Sequence, residues 1–142
     1  MPCRDPRAAL EDILENIARI ERFVGGLDAH GFHHDDKTIF AVQYALLAVS
    51  DAACRLGDHA AVLCPDTPWR DIRRLGVELR LGDDRIPREI IWATVQQTLG
   101  PLQLAAMIAL NRLEGSEPDE PVTRANRSIV VVPFARRWRF GR

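Results

Sequence analysis

Three stretches of this 142-residue chain space their apolar residues at steps of three and four. The first holds Leu10, Ile13, Leu14, Ile17, Ile20 and Val24, with Glu11, Asp12, Glu15, Arg19 and Arg22 in the gaps. The second holds Ile39, Val42, Leu46, Val49, Ala53 and Leu56. The third runs from Pro87 to about Leu113 and carries Ile91, Val95, Leu99, Leu102, Ala106, Ala109 and Leu113. A helix turns about 100° per residue, so this spacing gathers the apolar side chains on one face, which has to pack against another element. Three such faces in one short chain constrain it to helix-on-helix packing.

The punctuation agrees. Asp5-Pro6 is a cap followed by a proline suited to the first helical position, and Gly25-Gly26 stops the first helix. Gly57 ends the second. Thr67-Pro68 and Pro87, with Asp83 or Asp84 just ahead of it, read as two further helix starts, with a tight break at Gly82-Asp83-Asp84 between them. Gly100-Pro101 interrupts the last helix, because proline removes a hydrogen bond and clashes with the preceding turn, so a kink or a split is expected. The expected fold is all-α, an antiparallel up-and-down bundle of four or five helices with a kinked last long helix and a short extended C-terminal tail. Residues 1–113 form the bundle, and residues 114–142 form an acidic linker and a basic, strand-forming tail.

Between the elements, 27–36 reads as a loop and 59–65 as a short apolar linker. The loop holds His33-His34-Asp35-Asp36, which invites a metal reading. Neighbouring residues rarely converge on one ion without a second cluster, so helix capping is the better account of the aspartates, with Phe32 tucked under the bundle. No cofactor is expected. Cys3, Cys54 and Cys64 are odd in number and lack metal-ligand spacing, as reduced thiols in a cytoplasmic protein would. No signal peptide opens the chain, and no unbroken apolar run approaches the roughly 18 residues of a membrane span.

A net charge of −1 gives no overall pull toward nucleic acid or an acidic membrane. The basic residues are 18 Arg and one Lys, which fits either phosphate recognition or a bias in codon usage. Six of those arginines, Arg124, Arg127, Arg136, Arg137, Arg139 and Arg142, fall in 122–142, which contains no acid. Phe134, Trp138 and Phe140 interleave with them, and Ser128 to Phe134 has strand composition. That tail could stack bases and neutralise phosphate, or pack on its own bundle or a second copy.

The stretch from Thr67 to Trp92 carries a family resemblance. Pro68-Trp69, Ile72, Leu79, Asp84-Arg85-Ile86 and Ile91-Trp92 together resemble the HepT-like branch of the HEPN domains. Phe32, Asp36, Ala41-Val42 and Ser50-Asp51-Ala52 stand where that family has Phe, Asp, Ala-Val and Gly-Glu-Ala, and Pro101-Leu102 also matches. The likeness covers residues 6–113, about three-quarters of the chain. It implies a HEPN-like bundle, a homodimer, an RNA-cleaving toxin and a nucleotidyltransferase-type antitoxin that modifies a tyrosine of the active motif.

That motif, Arg-Asn, three residues, His, one residue, Tyr, falls on Gly76, Val77, Leu81 and Asp83. All four signature residues are replaced. No shift of register restores them, since the histidines are His30, His33, His34 and His59 and the one tyrosine is Tyr44. Metal-independent cleavage of RNA needs a group that moves the 2′-hydroxyl proton near neutral pH and a fixed cation on the phosphorane. Leu81 moves no proton and Gly76 carries no charge. Loss of acid–base help alone costs about 10²–10⁴ in rate. The expectation is a toxin-type homologue that binds without efficient cleavage, as a homodimer and with a nucleotidyltransferase-type partner or RNA. The alternative is a nuclease with a displaced site, for which Asp51, Arg74, Arg80, Asp83 and Arg85 are the candidate groove residues. Asp51 also has a purely structural reading, as the ion-pair partner of an arginine on the helix after Pro68.

Overall fold

The computed structural model describes residues 5–82 and 85–115. Its seven helices are, in chain order, α1 (Pro6–Val24), α2 (Ala29–His33), α3 (Asp36–Leu56), α4 (His59–Leu63), α5 (Trp69–Leu81), α6 (Arg88–Gln97) and α7 (Leu99–Gly115). The five longer ones form the all-α bundle that the apolar spacing predicts. Two one-turn helices, α2 and α4, lie where the sequence reads as loop and linker. Segments this short show no full helical period, so the pattern could not reveal them.

Helix α1 begins with Asp5, whose side chain accepts from the Arg7 amide at 3.0 Å, and ends at Gly25, whose φ of 51° closes the chain. Its apolar stripe is buried, with Leu10, Ile13, Ile17 and Ile20 all inaccessible to solvent. It packs mainly on α3, and α7 covers its other flank. Asn16 is buried on the same helix, and its amide donates to the Asp12 carbonyl at 2.9 Å. Burial pushes the Glu21 carboxyl above its ordinary pKa.

Helix α3 is central, packed by α1 on one side and α5 on the other. Asp35 caps it, accepting from the Thr38 amide at 3.0 Å and the Thr38 hydroxyl at 2.7 Å. The bond from the Thr38 amide, followed by that from its hydroxyl, holds the Asp35 carboxyl below the usual carboxylate range. By length and composition α3 is apolar enough to cross a bilayer, more so than its polar-interrupted letters suggest. Half of its most apolar window is buried among the other helices, as in the middle member of a bundle.

Phe32 is buried and meets Trp92 of α6 with ring centroids 5.0 Å apart, tying α2 to α6. Arg88 fastens the same seam, donating to the His33 carbonyl and pairing with Asp36, each at 2.7 Å. The two remaining helices are the halves of the long one expected over 87–113. The break falls at Thr98, because Pro101 has no N–H to offer the Gln97 carbonyl, and proline is tolerated only in the first turn of the helix that it enters. Trp69 is buried, and its indole donates to the Cys64 carbonyl at 2.9 Å. Cys64 is buried beside α7, with its thiol 3.4 Å from the Ala105 carbonyl, and desolvation raises the pKa of that thiol. Helix α7 extends two residues into the expected linker, to Gly115. The tail with its strand-like segment lies outside the described residues.

Candidate functional site

Three of the four motif positions, Gly76, Val77 and Leu81, belong to α5. Pro68 and Pro87 sit one place earlier than expected, as the residues preceding α5 and α6. The Pro68 carbonyl accepts from the Asp71 and Ile72 amides at 3.1 Å and so starts α5. Along α5 the residues Trp69, Ile72, Arg73, Gly76 and Arg80 recur at three- and four-residue steps and face α3.

Contacts between the two helices fix their relative direction. Arg73 reaches the C-terminal end of α3, donating from Nε to the Ala53 carbonyl at 3.1 Å and from Nη2 to the Gly57 carbonyl at 2.9 Å. One turn on, Gly76 lies against Ser50, and further on Arg80 pairs with Asp51. From Arg73, at Ala53 and Gly57, to Gly76, at Ser50 and Leu47, advancing along α5 moves backward along α3, so the helices are antiparallel, with the long Arg80 side chain reaching back to Asp51.

Gly76 is where they come closest. A Cβ there would lie 2.0 Å from Ser50 Oγ and 2.5 Å from Ser50 Cβ. Ser50 is fully buried and its hydroxyl donates to the Arg73 carbonyl at 3.2 Å, so it has nowhere to retreat. The position that the family resemblance assigns to a phosphate-gripping arginine is thus filled by helix–helix packing. The resemblance also puts glycine where Ser50 stands. Glycine on α5 and serine on α3 fit one another across the contact.

Val77 and Leu81 project from the edge of α5 and are 54% and 59% exposed. Beside them on α3, Phe40, Tyr44, Leu47 and Asp51 form one stripe at steps of four, three and four. Phe40 is 55% exposed and Tyr44 76%. The α3–α5 seam therefore presents an apolar band with one ion pair, Asp51–Arg80, both members half exposed.

The candidate groove residues divide. Asp51 and Arg80 are brought together. Arg74 lies on the far side of α5, where its Nε meets Glu78 Oε1 at 3.0 Å. Arg85 is exposed in the turn after α5, its amide donating to the Gly82 carbonyl at 3.3 Å. Asp83 lies outside the described residues. No histidine is on α3 or α5. His30, His33 and His34 cluster on and just after α2, with His33 Nδ1 3.4 Å from Glu89, and His59 opens α4. Among the described residues no group of three or more His, Cys, Asp or Glu could hold a metal ion.

Sequence reasoning missed Arg73 and Ser50. The signal for Arg73 was present, since Arg73, Gly76 and Arg80 share a helical face with the buried Trp69 and Ile72. For Ser50 there was none, because a serine among alanines looks like any small residue. Chemically, the band offers hydrophobic contact and one carboxylate whose oxygen is already engaged by a guanidinium.

A family model described as "Ribonuclease HepT-like" matches residues 13–108. A protein of Thermococcus cleftensis named "Probable ribonuclease HepT" is 31% identical over 100 residues, which are 70% of this chain and 91% of that one. Another, from Methanocaldococcus jannaschii and named "Putative RNase MJ0127", is 36% identical over 95 residues, 67% of this chain and 78% of its own. No solved structure matches. The helical bundle and these relatives agree on one assignment: the chain belongs to the HepT-like ribonuclease family of HEPN proteins.

Proposed function

We propose that this protein is a toxin-component homologue of the HepT-like family that acts by binding and does not cleave RNA efficiently. It associates with itself and engages a nucleotidyltransferase-type antitoxin or RNA without breaking the chain. One observation carries the reading. On the α3–α5 face, two of the positions that should bear the reacting groups bear the exposed aliphatic side chains of Val77 and Leu81, and a third, Gly76, is packed against Ser50.

The remaining acid on that face does not substitute. Arg80 is held by Asp51 and is not free to grip a phosphate, and releasing it would leave a bare carboxylate beside the phosphate. Two like charges meeting there would raise the barrier. A nucleotidyltransferase-type partner finds no tyrosine to modify at position 83, so regulation through that residue is absent.

The test is incubation of the purified full-length protein with tRNA and with mRNA transcripts. Intact RNA is expected over hours at micromolar protein. Cleavage that co-purifies with the protein and disappears in Arg80→Ala or Asp51→Asn would establish the displaced-site nuclease instead.

A further inference from the structure

We propose that residues 128–135 of the chain's own C-terminal segment lie along the exposed side of α7 and cover Leu104 and Ile108. The contact does not depend on whether the motif face cleaves RNA.

Helix α7 is apolar on both sides. Leu99, Leu102, Ala106 and Ala109 are buried against the bundle. Pro101, Leu104, Ile108 and Asn111 form an exposed row at steps of three, four and three. Leu104 is 60% exposed and Ile108 43%. From Leu99 to Asn111 the helix bears no charge, a length of about 18 Å at 1.5 Å per residue. A helix that is apolar all round is ordinarily covered all round.

Reach, length and charge select the cover. Residues 116–142 follow directly from Gly115, the last residue of α7. Leu104 lies about 16 Å back along the helix from that point, and residues 116–127 can span up to about 40 Å. Helix α7 packs mainly on α1 and α6, so its own exposed row is closer to the start of the segment than the α3–α5 band is. Between Arg127 and Arg136 the segment carries no charge. Those residues, Ser-Ile-Val-Val-Val-Pro-Phe-Ala, extend to about 23 Å, enough to run the uncharged length of α7. The arginines then fall at the two ends of the contact, where water reaches them. A tethered segment acts at an effective concentration on the order of millimolar, so at micromolar protein it outcompetes a free partner of equal affinity by about a thousandfold. A polyanion gains nothing from an uncharged row. The cover is also an addition to the shared core of the family, whose model ends at residue 108. The 100 matched residues already make up 91% of the Thermococcus protein, which leaves it no room for an equivalent of residues 116–142.

Photocrosslinking of the full-length protein with p-benzoylphenylalanine in place of Leu104 tests this. Irradiation at micromolar concentration is expected to leave the single-chain mass and to join position 104 to the tryptic peptide 128–136. The same group in place of Val77 should not reach that peptide. A product of double mass, a link to added tRNA, or no link between 104 and that peptide overturns the proposal. Limited trypsin digestion gives a second reading. Val131→Asp and Ile108→Asp should each speed cleavage after Arg127 and Arg136 about tenfold, as loss of one buried aliphatic side chain would. Val77→Asp should leave the rate unchanged. Should Ile108→Asp fail to fold, Val131→Asp decides, and a rate equal to wild type in that variant defeats the contact.

Discussion

At the scale of the residue, the contact between Ser50 and Gly76 sets what α5 can carry. An added methyl group at 76 has to displace a buried serine or push the helices apart, and overpacking of this kind costs about 1–3 kcal/mol. Gly76→Ala is therefore expected to lower stability to urea by that amount, against the small gain alanine normally brings to a helix interior. Ser50→Ala should not rescue it, because the clash with Cβ at 2.5 Å remains, whereas Ser50→Gly should. Equal stabilities for the two double variants would contradict this geometry. The glycine was legible only as a gap in the motif. Its necessity was not, because a close approach depends on the partner helix, and nothing local in the letters says which residue will face it.

At the scale of the element, α3 is held at both ends by single side chains. At its C-terminal end Arg73 donates to the Ala53 carbonyl and to the Gly57 carbonyl, which also accepts from the Ala60 amide, and it is half-buried there. Bonds from a charged donor are worth more than neutral ones, so Arg73→Ala should cost about 1–3 kcal/mol. Arg80→Ala removes an exposed pair and should cost about 0.2–1 kcal/mol in the same urea titration. At the other end, Asp35 acts through its ionised form. Its pKa is depressed in the folded state, so its contribution is complete above the unfolded carboxylate value and lost as pH falls through the folded one. The difference in melting temperature between wild type and Asp35→Ala should thus be largest near neutral pH and shrink as acid is added, with the last of it disappearing below the ordinary Asp range. A difference independent of pH would show that the cap acts by shape alone. The aspartate was legible as a cap because an acid ahead of an amphipathic run has few other uses. Arg73 was not singled out, since several arginines of α5 compete for notice and only tertiary placement separates them.

At the scale of the whole molecule, the bundle was legible because three long amphipathic patterns leave helices no option but to share a core. The paired faces of α1 and α3 come directly from Leu10 to Val24 and Ile39 to Leu56. What escaped were the one-turn pieces α2 and α4, and the residue at which the last long helix divides. The motif face was legible as a set of missing groups, but its present surface, a band of Phe40, Tyr44, Val77 and Leu81, needed the antiparallel register of α3 and α5 to assemble. The fit between Gly76 and Ser50 also fixes the order in which this face can be altered: a guanidinium can enter at 76 only after the side chain at 50 has been made smaller. A larger residue placed at 76 first would force the two helices apart.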